Sequence, residues 1–93
     1  MGKAVIYPFM TLEDGTEIVH SEMKEDGSVK VYIEKPVMLG FHSVECWLPQ
    51  YAWKNNVGFS DEELHYYDAF VHSLAHIIIE LAQKGGFDNA SNL

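Results

Sequence analysis

Phe59-Ser60-Asp61-Glu62-Glu63-Leu64 opens a run that closes on Lys84-Gly85-Gly86, and the residues between read as one long amphipathic helix over 60–84. Ser60 is a good N-cap, and Glu63 stands three residues on, the spacing of a capping box. Phe59 and Leu64 occupy the two positions of a hydrophobic staple. Asp61, Glu62 and Glu63 put negative charge at the positive end of the helix dipole. Lys84 suits the last turn, and Gly85-Gly86 offers a left-handed stop. Leu64, Tyr67, Val71, Leu74, Ile78 and Leu81 recur at steps of three and four, so they form one stripe. A stripe of that length needs an apolar surface to lie on. The rest of the chain is read for one.

The first sixty residues supply it as short strands between turn signals. Strands are expected over 5–12, 16–24, 28–35 and 41–48. Pro8 marks the first as an edge strand, because it cannot donate to a ladder. Glu13-Asp14-Gly15 and Glu25-Asp26-Gly27 are turns of one type, with glycine in the left-handed position. Residues 28–35 alternate cleanly: Val29, Val31 and Ile33 on one face, Lys30, Tyr32 and Glu34 on the other. Matching apolar faces across the turns predicts a register. It pairs Phe9 with Val19 and Tyr7 with Ser21. It then sets Met23, Ser21 and Val19 against Val29, Val31 and Ile33, and Ile33, Val31 and Val29 against Val44, Cys46 and Leu48. The apolar face is then Val5, Tyr7, Phe9, Val19, Met23, Val29, Val31, Ile33, Val44, Cys46 and Leu48. The fold class that follows is α+β: a four-stranded antiparallel meander in order 1-2-3-4, with the long C-terminal helix packed on one face. The helix, roughly 36 Å long, exceeds an eight-residue strand of roughly 26 Å. Either it overhangs the sheet or the preceding loop lies beneath it. Residues 49–59 read as an aromatic loop, and residues 85–93 as a frayed tail.

Size and composition bound the function. A chain of 93 residues is one domain, 1–93, and its 47% hydrophobic content is that of a globular protein. Fourteen acidic against six basic residues give a formal net charge of −8. No Lys/Arg cluster is present to neutralise phosphates, which argues against nucleic acid and against anionic membrane surfaces. The sign suits a basic protein partner. Cys46 is the sole cysteine, so no internal disulfide forms. Residues 1–8 are too quickly interrupted for a secretory segment, and no apolar run reaches the length of a membrane span. Cytoplasmic placement is the expectation. Met1-Gly2 lacks the Ser or Thr that myristoylation wants, since position 6 is Ile.

Histidines on the helix form the one chemical pattern. His72 and His76 are four apart, the spacing at which two imidazoles share a metal, and His65 and Asp68 lie on the same side. The residues between the histidines are Ser73-Leu74-Ala75, without the glutamate of a metalloprotease helix. Asp68–His72 and His76–Glu80 are also ordinary i,i+4 pairs. His20 and Glu45 are expected to point away from the helix and His42 towards it, so no acid–base set converges. No cofactor motif is read. Gly58-Phe59-Ser60 precedes a helix start, but three carboxylates there would repel an anion. The remaining signal is surface. The sheet face away from the helix carries Ile6, Met10, Ile18, Tyr32, Phe41 and Trp47, the loop carries Tyr51 and Trp53, and Ile79 stands off the helix stripe. Ile18, Tyr32, Phe41, Trp47, Tyr51, Trp53 and Ile79 are the interaction candidates, with a protein partner or a second copy as occupant. The expected function is a non-enzymatic protein-interaction or regulatory module. The alternative is a small metal-dependent or acid–base hydrolase built on His65, Asp68, His72 and His76.

The run from Cys46 to Leu64, with Gly58-Phe59-Ser60-Asp61-Glu62-Glu63-Leu64 at its end, resembles the strand–loop–"GFS-x-x-E-L"–helix signature of small bacterial domains of unknown function. Some of those are encoded beside a second small gene, in an arrangement like toxin–antitoxin pairs. Together with Asp14-Gly15-Thr16-Glu17-Ile18, the asparagine-rich aromatic loop looks closer to an uncharacterised family of short proteins of gut Firmicutes. The resemblance covers about the C-terminal half and implies no activity and no site residue.

Overall fold

The structure is a computed structural model and describes residues 5–85. The elements run β1 (Ile6–Thr11), β2 (Glu17–Ser21), β3 (Val29–Val37), β4 (Gly40–Leu48), β5 (Ala52–Val57) and α1 (Asp61–Lys84). The class is α+β, with an antiparallel sheet in order β1-β2-β3-β4-β5 and one C-terminal helix. Of the expected tail over 85–93, Gly85 is the cap of α1 and residues 86–93 lie outside the described residues.

Helix α1 keeps the expected ends. Both halves of the capping box form: the Glu63 N–H donates to Ser60 Oγ at 3.1 Å, and the Ser60 N–H to Glu63 Oε1 at 2.9 Å. Gly85 closes the helix at φ 84°, and its N–H donates to the Leu81 carbonyl. Tyr67, Val71, Ala75, Ile78, Leu81 and Ala82 are buried, while Leu64 and Leu74 are half-buried against the same cluster. The small Ala75 and Ala82 are among the residues α1 buries in the core.

Among the described residues the sheet has five strands, not four. Residues 52–57, expected within a loop, pair with β4 through Trp47↔Ala52, Cys46↔Trp53 and Glu45↔Lys54. Alternation is hidden there by Lys54-Asn55-Asn56, residues of low strand preference that an edge position tolerates. Asn55 sits at φ 56°, and the pairing slips by one residue between Glu45 and Ser43.

β3 and β4 pair in the expected register, with Val29↔Leu48, Val31↔Cys46 and Ile33↔Val44. β1–β2 and β2–β3 do not. Both Asp-Gly turns have the expected form: Leu12 faces Thr16, Lys24 faces Ser28, and Gly15 and Gly27 stand at φ 87°. In each, the aspartate Oδ1 accepts the N–H two residues on, from Thr16 and Ser28. Beyond each turn, however, one extra residue is taken up. Lys24 opposite Ser28 would set His20 against Tyr32, yet His20 faces Val31. Ser21 absorbs the difference: its Oγ accepts the Lys30 N–H at 2.9 Å and donates to the Glu22 carbonyl at 2.8 Å. A second slip lies between Pro8 and Met10 in β1. A one-residue slip exchanges the faces of a strand. Ile18 and His20 therefore enter the core and Val19 turns outward, the reverse of expectation.

The core comprises Phe9, Ile18, Val29, Val31, Ile33, Val44, Cys46, Leu48 and Phe59 with the buried side of α1. Each fully buried aliphatic side chain there contributes ~1.5–3 kcal/mol. Lys35 Nζ lies 3.4 Å from Glu63 and 3.9 Å from Asp14, while Gln83 Nε2 reaches Met23 Sδ at 3.8 Å. So α1 starts beside the end of β3 and finishes beside the end of β2. The chain before it does lie underneath: Phe59 is buried, edge-on to His42 at 5.7 Å and to Tyr67 at 5.2 Å.

Candidate functional site

The helix flank gathers some of the expected polar residues. The β4–β5 turn sets Tyr51 at φ 59° and lays its ring on His72, with centroids 3.6 Å apart and planes 7° from parallel. His72 Nε2 is 3.6 Å from Asp68 Oδ1, and the same oxygen accepts Trp53 Nε1–H at 2.9 Å. Asp68 and His65 line a shallow hollow with Trp53, Asp61 and Leu64. This ties β5 to α1. His76 is exposed beyond it. His65, Asp68, His72 and His76 do not form a ligand set: among the described residues, no three His, Cys, Asp or Glu side chains could hold one metal ion. Cys46 is fully buried, and burial together with the nearby Asp68 charge pushes its thiol up to about 12.

His20 is buried and His42 is half-buried. His20 Nδ1–H donates to the Ser21 carbonyl at 2.8 Å, and its Nε2 is buried without a partner. Burial lowers its pKa, against a smaller opposing effect of the Ser21 carbonyl. His42 lies against Gly58, where an added Cβ would stand 2.2 Å from the ring.

Of the interaction candidates, Ile18 is 1% exposed and belongs to the core, a consequence of the β2 slip. Ile79 packs half-buried against the core instead of standing free, because α1 buries a wider arc than its stripe. Tyr51 from the β4–β5 turn and Trp53 from β5 also pack on the core and so do not cover the outer sheet face. Trp47 is half-buried in a polar group: its Nε1–H donates to Glu45 Oε1 at 3.3 Å, and Lys30 Nζ stands 5.7 Å above its ring. Tyr32 is half-buried on the outer face, in a hollow shared with Ile6, Val19, Lys30 and Glu34.

Phe41 is different. It is 59% exposed, and with it at the β3–β4 tip stand Met38 at 90% and Leu39 at 100%. Val57, one pair further along the same outer face, is 57% exposed. Met38, Leu39 and Val57 are additions that the sequence reading missed. Their signal was available: Met38-Leu39 fills a turn where Gly, Asn or Asp would be usual. The two sheet edges are poor templates for strand addition, since β1 carries Pro8 and a slip, and β5 carries its own slip with exposed Lys54, Asn55 and Asn56.

No protein-family model, curated protein or solved structure matches this chain. Among the described residues, no helix is long and apolar enough to cross a membrane.

Proposed function

We propose that the protein is a non-enzymatic interaction module that engages another protein through the β3–β4 tip and the adjoining outer sheet face. One observation carries the reading. Leu39 is fully exposed and stands at φ 71°, a conformation that costs a branched L-residue about 1–2 kcal/mol. Neither burial nor backbone preference accounts for a leucine there. Folding alone would be better served by glycine or asparagine. An exposed side chain held at a cost to the fold is the mark of a surface used for contact.

The test joins stability to contact. Leu39→Gly should raise stability by about 1 kcal/mol in urea unfolding, by relief of the left-handed strain. A photo-crosslinking residue placed at position 38 in cells should capture a protein, and Leu39→Gly should abolish that capture. If Leu39→Gly instead destabilises the fold, Leu39 serves folding and the reading fails; absence of any capture at position 38 has the same force.

A further inference from the structure

The tip does not stand in neutral surroundings. Gly15 lies against Pro36: an added Cβ there would come 3.2 Å from the proline ring. The β1–β2 turn is therefore beside the root of the β3–β4 tip. Lys35 reaches Glu63, which brings the first turn of α1 to the same end. From Lys35 to the turn residues Met38 and Leu39 is roughly 10 Å at strand rise. Three segments distant in sequence thus share one pole of the molecule.

That pole has an excess of negative charge. Lys35 is committed to Asp14 and Glu63. Glu13, Glu17, Asp61 and Glu62 are exposed there, and Glu34 is half-exposed directly across from Glu17. Like charges facing each other across a ladder are unfavourable. Of the other described lysines, Lys24 precedes the β2–β3 turn, Lys54 stands opposite Glu45, Lys84 pairs with Glu80 in the last helical turn, and Lys30, which shares the outer-face hollow with Glu34, is drawn to Glu45 at 4.0 Å. Between the β1–β2 turn and α1 is an open hollow of ≈ 490 Å³, lined by Leu12, Glu13, Asp14, Tyr66 and Tyr67. Its lining joins Leu12 and two tyrosine rings to two carboxylates.

We infer that this pole is a docking surface for a cationic amphipathic segment of a partner protein. Met38, Leu39 and Phe41 would meet its apolar side chains, and the carboxylates of β2, β3 and the start of α1 its lysines or arginines. Charge complementarity decides the occupant. A second copy meeting pole to pole would oppose two sets of unpaired carboxylates, so self-association through this surface is disfavoured. The inference rests on the interaction reading above and adds to it the chemistry of the partner.

The probe is a synthetic amphipathic Lys/Leu helix of roughly four turns, about 14 residues, compared with a Lys/Ser peptide of equal charge. Calorimetric titration at ~0.1 M salt should show the Lys/Leu peptide binding at least about tenfold more tightly. Met38→Ser/Leu39→Ser should weaken it by about tenfold or more, and Glu17→Gln/Glu34→Gln/Glu62→Gln should do the same while flattening its salt dependence. Glu22→Gln/Glu25→Gln/Glu80→Gln removes the same charge elsewhere and should leave affinity within about twofold. Thermal melts establish that each variant is folded. Equal binding by the native protein and the tip variant overturns the inference, as does equal weakening by the two glutamate triples. Capture at position 38 without binding of the Lys/Leu peptide overturns the partner chemistry while leaving the interaction reading standing. A captured second copy, with concentration-dependent dimerisation in sedimentation, does likewise.

Discussion

Single residues in this protein are constrained by neighbours far away in sequence. Gly58 stands at φ 92°, and a Cβ there would meet the His42 ring at 2.2 Å. Gly58→Ala should cost roughly 2–4 kcal/mol, from left-handed strain and overpacking together. Gly27, at φ 87° with nothing within 4 Å, isolates the first term, so Gly27→Ala should cost only about 1–2 kcal/mol in the same urea titration. His20 gives a pH signature. Its folded pKa is lowered from the ordinary 6.5, mainly by burial, so the unfolded chain takes up the proton first. Its contribution to stability is complete above the unfolded value and declines as pH falls from there towards the folded one. Unfolding free energy should drop on acidification below about pH 6.5. A His20→Leu variant should lose that component when its pH profile is subtracted from the native one.

At the scale of elements, the β2–β3 register depends on a side chain. Ser21 Oγ stands in for a ladder acceptor opposite Lys30 and is itself buried. Ser21→Ala leaves the Lys30 N–H without that acceptor and should cost about 1–3 kcal/mol. Amide exchange at Lys30, whose N–H donates to Ser21 Oγ, should quicken more than at Val31 or Ile33, whose amides do not use that acceptor. A uniform acceleration along β3 would show that Ser21 acts on global stability alone. Helix α1 depends less on any one partner, because its capping box, its dipole charges and its buried stripe all favour the same span.

Across the whole molecule, charge is distributed against stability at one end. Glu17 and Glu34 face each other, while Lys35 is held by Asp14 and Glu63 and Lys30 by Glu45. Glu17→Gln should stabilise by about 0.2–1 kcal/mol, an effect that shrinks as salt is raised. The same change belongs to the set expected to weaken a cationic partner. A gain in melting temperature beside a loss in affinity is the signature of a surface kept for binding at a cost to the fold.

Much of this architecture was legible without coordinates, for local physical reasons. The helix from Ser60 to Gly85 announces itself through a cap, a staple and a period that involve only near neighbours. Both Asp-Gly turns, and the β3–β4 ladder with its short alternating strands, are of the same kind. Three things were decided only in three dimensions. Residues 52–57 became β5 because Trp53 and Tyr51 could pack on α1, which outweighs the poor strand preference of Lys54, Asn55 and Asn56. Ile18 and His20 entered the core because Ser21 and the bulge after Pro8 each absorb one residue, and a turn cannot report a slip that occurs several residues beyond it. The acidic, apolar pole exists because three separate segments meet around Lys35 and Pro36. The capped helix that begins at Ser60 was thus written in its own residues, whereas the surface at its N-terminal end belongs to no single stretch of the chain, since charge and exposure there are set by what folding brings alongside.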